Sequence, residues 1–294
     1  MSNQPPYLPT ALGASKTTLL LGNNLTSGPY AWQLPQCNIT SNPYSGGGYG
    51  GTTGIFGLLN CIAIQNGALS AVVWFYEPPG GQGVLLGTEV QQYPSSNPYY
   101  SGPALYVGED GSLYALEVSI STNYYVNTPN SISPGWHMAV FEEWAASTSG
   151  PYYLALYLDG QLVGQTSMSA SRLFGIDLNA PQAISNIGLI ATVTFPETNG
   201  TYYFFNGNIA YVALYNRVLT TSDVLAIYQG IRITSGLVAE YIGNNYDPST
   251  GVWTDSSGNN YNITTTVVAG QYPPRGCTLW PVGDSGNWIN WPTC

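Results

Sequence analysis

Basic side chains are nearly absent from this chain. Lys and Arg together number five among 294 residues, against fifteen Asp plus Glu and a single histidine, for a formal charge of −10 at pH 7. Firm duplex binding engages roughly 6–10 phosphates, so five cations speak against nucleic acid as a partner. The same scarcity disfavours an anionic membrane surface. Long apolar runs are missing too: the longest, Ile55 to Leu59 and Ile62 to Ile64, is interrupted by Gly57, Asn60 and Cys61. That falls short of the ~20 apolar residues a bilayer span needs, so no membrane insertion is expected. The opening MSNQPPYLPT has neither the basic end nor the apolar centre of a secretory signal. Export is therefore expected by another route, or after removal of a leader.

Aromatic and neutral polar residues take the place of ions. Apolar residues make up 44% and aromatics 13%, with 35 glycines and 24 tyrosines, which excludes a charged disordered chain. The length suits one large all-β domain or two smaller ones. Four cysteines, Cys37, Cys61, Cys277 and Cys294, lack the close spacing of zinc sites, and His137 is distant from all of them. Disulfides between sequential neighbours are the simplest expectation, with free thiols the alternative. Disulfides imply an oxidising or extracellular setting, or a hyperthermophile cytoplasm. Asn24, Asn38, Asn199 and Asn262 open glycosylation sequons, a pattern that chance alone supplies in a chain this rich in Asn, Ser and Thr.

Hairpin chemistry is the clearest local signal. Asp110-Gly111 lies between Ala104 to Glu109 and Ser112 to Ser119, and Asp159-Gly160 between Tyr152 to Leu158 and Gln161 to Thr166. Both dipeptides supply the positive φ of a two-residue turn. A third turn is expected at Asn206-Gly207, between Tyr202 to Phe205 and Asn208 to Tyr215, and further strands at 69–76, 83–90, 136–142 and 184–193. One short helix is expected, capped by Thr220 or Thr221, running through Asp223, Leu225, Ile227 and Tyr228 and stopped at Gly230. Many short strands with almost no helix predict an all-β antiparallel two-sheet sandwich or jelly roll. Residues 41–54 and 91–103, rich in Gly, Tyr and Pro, read as surface loops.

The order of these segments resembles the laminin G-like branch of the concanavalin A-like lectin and glucanase superfamily, over about 69–230. Ser70-Ala71-Val72-Val73-Trp74-Phe75 and Gly83-Val84-Leu85-Leu86 are similar to its early core strands. Gly135-Trp136-His137-Met138-Ala139-Val140 resembles its W-H-x-V-A strand, and Leu156-Tyr157-Leu158-Asp159-Gly160-Gln161-Leu162-Val163 its Y-x-D-G-x-x-V hairpin. Phe205-Asn206-Gly207-Asn208-Ile209-Ala210, then Leu214-Tyr215-Asn216-Arg217-Val218-Leu219, is similar to F-x-G-x-I-x-x-V-x-I-Y-N-R-x-L-S. Gly236 to Tyr241 with Trp253 to Asn260 resembles the family's opening, yet here it comes last. Residues 1–66 then read as an arm or extra layer with a Cys37–Cys61 loop and 67–232 as the sandwich. The segment 233–294 completes that sandwich or forms an annex, begins a second copy, or pairs with a neighbouring molecule.

Hydrolytic members of that superfamily carry Glu-x-Asp-x-x-Glu on one strand, which sets two carboxyls roughly 5–5.5 Å apart. This chain lacks the pattern. Glu142 and Glu143 are consecutive, so on a strand they face opposite sides. No Gly-x-Ser-x-Gly elbow exists, and His137 falls on the resemblance's core strand. No enzyme and no catalytic residue is expected. Asp110, Asp159 and Asp255 are calcium candidates by type, but each sits in a turn that Asp favours for backbone reasons, so no cofactor is assigned.

Tyrosines recur in adjacent pairs, and on a strand each pair sends one ring inward and one outward. Tyr99, Tyr100, Tyr124, Tyr125 and Trp144 are the candidate binding residues, offering aromatic faces to sugars or to a protein. The expected role is non-catalytic and exterior. A structural or adhesion protein exposed on a virion, such as an archaeal virus coat, turret or spike, is expected, with host glycans, other coat proteins or copies of itself as partners. A secreted or cell-surface carbohydrate-binding module is the alternative, and a glycoside hydrolase the remotest.

Overall fold

The computed structural model describes residues 19–20, 30–44, 53–90, 102–118, 122–171, 173–174, 183–187, 196, 205, 207–247, 250 and 252–267. The first strands are β1 (Leu19–Leu20), β2 (Tyr30–Gln33), β3 (Gln36–Ile39) and β4 (Gly54–Gly57), followed by helix α1 (Leu58–Asn66). Next come β5 (Ala68–Glu77), β6 (Gly83–Val90), β7 (Gly102–Val107), β8 (Leu113–Val118), β9 (Asn123–Asn127) and β10 (Gly135–Ala145). Then follow β11 (Tyr152–Leu158), β12 (Gln161–Met168), β13 (Ala183–Ile187) and β14 (Asn208–Tyr215). Helix α2 (Thr221–Tyr228) precedes β15 (Leu237–Asp247), β16 (Val252–Asp255) and β17 (Ile263–Val267).

Every pairing among the described strands is antiparallel. The first sheet runs β12-β11-β10-β5-β14-β15-β16 with β1 also beside β14, and the second runs β17-β2-β13-β6-β7-β8-β9. They join at one side, where β16 pairs with β17, and β3 and β4 form a separate hairpin. The alternation of strand side chains separates two faces. Val73, Phe75, Ala139, Phe141, Leu154 and Leu156 from the first sheet meet Leu85, Leu105, Leu113 and Ala115 from the second in one interior. Val72, Trp74, Val140 and Tyr211 point the other way, under Val224 and Ile227 of α2. Covered on both faces, β5 and the middle of β10 read as nearly continuous apolar runs. The molecule is an all-β jelly-roll sandwich with α2 as a partial third layer.

Turn chemistry explains two hairpins differently. Asp159 and Gly160 both have positive φ, 50° and 81°, and Leu158 pairs directly with Gln161, as a two-residue type I′ turn requires. The Asp110-Gly111 connection departs from the sequence expectation. Its strands end at Val107 and resume at Leu113, and only Gly111 has positive φ. The Asp110 carboxylate accepts from Ser112 N at 2.9 Å, while Gly108 N donates to Ser112 O, so a wider loop closes on the side chain. Asn206 and the flank 201–204 lie outside the described residues. Gly207 is required by crowding: a Cβ there would stand 2.2 Å from the Tyr76 carbonyl oxygen.

Of the two cap candidates α2 uses Thr220, in a capping box in which Thr220 Oγ1 accepts from Asp223 N and Asp223 accepts from Thr220 N. The other helix, α1, was not anticipated by the single-helix reading. Leu58 to Ile64 are all buried, so the segment has no polar stripe and no 3.6-residue signal to read. Gly67, at φ 75°, ends it by donating to Ala63 O. A Cys37–Cys61 disulfide ties β3 to α1 with Cα atoms 6.2 Å apart. Cys277 and Cys294 lie outside the described residues.

Candidate functional site

Among the described residues six acids are buried: Glu77, Glu117, Glu142, Glu143, Glu240 and Asp255. Glu142 and Glu143 do face opposite sides of β10. Glu142 turns toward α2, where Oε1 accepts from Ser70 Oγ and Leu219 N, each at 2.8 Å. Burial pushes its carboxyl up to about 7 against those two hydrogen bonds. Glu143 turns into the interior, accepts from Ser171 Oγ and stands beside Glu117 of β8. Burial first, and the Glu117 charge second, hold the Glu143 carboxyl well above the usual carboxylate range. This is an inward carboxyl pair, but Glu143 is 0% exposed and Glu117 4%. Glycoside hydrolysis needs its two carboxyls across an open cleft with room for the sugar, and this pair is sealed inside the sandwich.

The histidine is a cross-tie. His137 Nδ1 donates to Asp159 Oδ2 at 2.8 Å and Nε2 donates to the Ser133 carbonyl at 2.7 Å. Both partners are acceptors, so the ring is placed to hold both protons. Burial pulls its pKa down, yet the Asp159 hydrogen bond and charge, Ser133 and Glu77 outweigh that, and the net direction is upward. Asp159 Oδ1 also accepts from Met138 N. One turn residue thus fastens β10, the β11–β12 hairpin and the loop before β10. Glu77 ends β5 nearby, and burial pushes it up to about 8 in spite of His137.

The three calcium candidates are occupied within the protein. Asp110 accepts from Ser112 N and Tyr114 Oη, and Asp159 from His137 and Met138 N. Asp255 accepts from Glu240 N, Ser257 N and Oγ, and Tyr261 N. Among the described residues no group of three or more His, Cys, Asp or Glu side chains could hold a metal.

The aromatic candidates separate onto two faces. Tyr124 turns inward, packs against the core and shares a 2.7 Å hydrogen bond with Ser169 Oγ. Tyr125 turns outward and is 47% exposed. Trp144 lies on the outer face of the first sheet, stacked on its cross-strand partner Tyr153 with centroids 5.2 Å apart. It is not brought together with Tyr125, which is on the second sheet. Tyr99 and Tyr100 lie outside the described residues.

Two tyrosines that sequence reasoning missed complete the outward face of the second sheet. Tyr106 and Tyr114 are direct cross-strand partners on β7 and β8, stacked at 4.9 Å and 13°. Tyr114 then meets Tyr125 at 6.1 Å. Exposure rises along this ladder from 0% at Tyr106 through 4% at Tyr114 to the open ring of Tyr125. Tyr106 Oη donates to Pro196 O, and Tyr114 Oη to Asp110 Oδ2 at 2.9 Å. The period of two places Asn123 and Asn127 on the same side of β9 as Tyr125. An aromatic ring between two carboxamides, backed by a second ring fixed to a carboxylate, can stack on an apolar sugar face and hydrogen-bond its hydroxyls. Of the sequons, Asn38 is exposed on β3, and Asn262 is exposed with Oδ1 accepting from Asp255 N. Asn24 and Asn199 lie outside the described residues.

No family model matches the chain, and no curated protein matches it. Solved structures do resemble it. A carbohydrate-binding protein from Bacteroides ovatus matches at 15% identity with a TM-score of 0.49, covering 85% of this chain; the chain spans 59% of that protein's length. A heptameric SAP-like pentraxin from Limulus polyphemus matches at 14% identity and a TM-score of 0.46, covering 86% of this chain and 97% of that one. The CBM40 module of a Ruminococcus gnavus IT-sialidase matches at 15% identity and a TM-score of 0.41, covering 67% and 97%. At such identities the likeness is one of fold.

Proposed function

We propose that this chain is a non-catalytic, lectin-like recognition protein of the laminin G-like kind, working outside the cell, whose outward row Asn123–Tyr125–Asn127 takes sugar rings. The exposed Tyr125 ring between two carboxamides on an edge strand is the observation that carries this reading. Neutral sugars suit it better than acidic ones. The chain bears −10, and the described cations Arg217 and Arg232 are both bound in ion pairs, to Asp223 and Glu240. The Cys37–Cys61 disulfide accords with an oxidising exterior. We treat the strands from Leu237 onward as part of the same body, since β15 pairs with β14 and β17 with β2.

The test is a glycan array on the purified chain at pH 3 and pH 7, with and without calcium, repeated with Tyr125→Ala. Saturable binding to one neutral glycan class, weakened at least about tenfold by the substitution, is the expected result. Binding indifferent to Tyr125, or none at all, overturns it.

Assembly on a virion or cell surface, with copies of itself or coat proteins as partners, is the second reading. It is favoured by β12, which among the described strands ends the first sheet with Leu162 51% exposed on it, because a sheet edge is a template for a neighbouring chain. Light scattering on the same samples checks it: ordered oligomers without glycan binding would leave assembly as the function.

A further inference from the structure

Register sets four outward side chains in one row across the first sheet. Trp144 of β10 pairs with Ala68 of β5 on one side and with Tyr153 of β11 on the other, and Tyr153 pairs with Ser167 of β12. The two rings stack, 5.2 Å apart and 17° from parallel, so each turns its free face along the row. The Trp144 face lies toward Ala68 and the Tyr153 face toward Ser167, and neither neighbour is long enough to cover a ring. Gln165, two residues before Ser167 on β12, points the same way, and both are exposed. Trp144 rests on the apolar cluster under α2, which fixes the pair from below. β11 and β12 carry no charged residue. Glu142, two residues from Trp144 on the same face, is held by Ser70 Oγ and Leu219 N.

We infer that this ridge is a second sugar site, in which a neutral sugar ring stacks on Tyr153 and bonds its hydroxyls to Ser167 and Gln165 while Trp144 holds the tyrosine in place. An aromatic face beside a hydroxyl and a carboxamide offers both the apolar contact and the donors and acceptors such a ring uses. An acidic sugar would find no cation on these strands, in a chain that bears −10. Two half-buried rings fall far short of the roughly 1,200 Å² that a stable protein interface covers, so a sugar matches their size better than a partner protein does. The site shares an edge of the sandwich with the Tyr125 row. A Cβ on Gly164 of β12 would stand 3.0 Å from Val126 of β9, and Tyr124 Oη and Ser169 Oγ share a 2.7 Å hydrogen bond. With the two sheets stacked about 10 Å apart, Tyr125 and Tyr153 open to opposite sides of that edge. One molecule then holds two glycans and bridges them. The second site stands on its own geometry, and the bridging rests on reading the Tyr125 row as a sugar site.

Calorimetric titration of the full chain with neutral gluco-, manno- and galacto-oligosaccharides tests it, alongside the clustering of beads coated with the sugar that binds. Two sugars per chain and clustered beads are expected from the wild type. Tyr153→Ala is expected to leave the Tyr125 site intact, weaken the other at least about tenfold and abolish clustering. Ser167→Leu, which fills the space beside the ring and keeps the ring itself, is expected to do the same and serves if Tyr153→Ala does not fold. One sugar per chain that disappears with Tyr125→Ala overturns the second site and leaves the first. One sugar per chain that disappears with Tyr153→Ala upholds the second site and sinks the Tyr125 reading, and the bridging with it. Two sugars unaffected by either variant, self-association that either variant removes, or no binding at all overturns the proposal.

Discussion

Glu240 on β15 and Glu143 on β10 are both glutamates of the first sheet with no exposed surface, and they meet the cost of burial in opposite ways. Glu240 lies on the outer face with a guanidinium against it. Arg232 Nε and Nη2 donate to its Oε2 at 3.0 and 2.7 Å, and Tyr211 Oη donates to Oε1 at 2.9 Å. Glu143 faces inward, where burial first and the Glu117 charge second raise its carboxyl well above the usual carboxylate range. Glu77 and Glu142 follow the second pattern, pushed up by burial to about 8 and about 7. A chain with five cations cannot pair every buried acid with one. Protons make up the difference, and stability becomes a function of pH.

Breaking the cation-paired arrangement is expected to cost most. Arg232→Ala strands Glu240 as an unpaired buried charge and should lower unfolding stability by about 3–5 kcal/mol in urea titrations near pH 7. Glu143→Gln at the same pH should cost less than about 1 kcal/mol, because the carboxamide keeps the neutral, hydrogen-bonding character of the protonated acid. Equal losses in the two variants would erase the contrast between the two regions.

Next in size is the pH response of the wild type. Glu77 and Glu142 bind protons more tightly in the folded chain than at the ordinary 4.5 of a free glutamate. Between pH 4.5 and about 8 the folded state therefore carries more protons than the unfolded one. Stability is greatest at the acidic end and falls as pH rises through the folded values, by an amount on the order of a few kcal/mol. Thermal melts at pH 4.5, 6 and 8 should show a falling Tm, and Glu77→Gln should make the decline shallower. A Tm that rises over this window would contradict the protonated burial of these acids.

The same contrast marks how far the sequence could be read. Local chemistry was legible: Asp159-Gly160 makes the tight turn its residues suggest, β6 spans 83–90, and Thr220 with Asp223 caps α2. Period two also placed Glu142 and Glu143 on opposite faces and sent one ring of the Tyr124–Tyr125 pair inward, but which of the two it could not say. What lies opposite a strand was not legible. Glu117 meets Glu143 only because the two sheets stack, and Tyr106 and Tyr114 join Tyr125 only through the registers of β7, β8 and β9. α1 escaped because a helix buried all round shows no stripe. At Asp110 the carboxylate captured Ser112 N and widened the turn.

His137 gives a smaller and sharper break, because it joins the two patterns: a charge paired with Asp159 that is itself held by a proton. His137→Gln cannot satisfy both acceptors as an imidazolium does, and the lost charge-assisted hydrogen bond is expected to cost about 1.5–3 kcal/mol. The sign of its pH dependence is fixed by the ring's raised pKa. The stabilisation is fully present below the ordinary 6.5 and fades as pH climbs through the higher folded value. Urea midpoints of wild type and variant should therefore lie furthest apart at pH 5 and converge toward pH 9. A gap that stays constant would mean that the ring ties Asp159 to Ser133 by shape, without the second proton. A gap that closes would show that the tie from β10 to the β11–β12 hairpin is fastened by a proton it gives up as the solution turns alkaline.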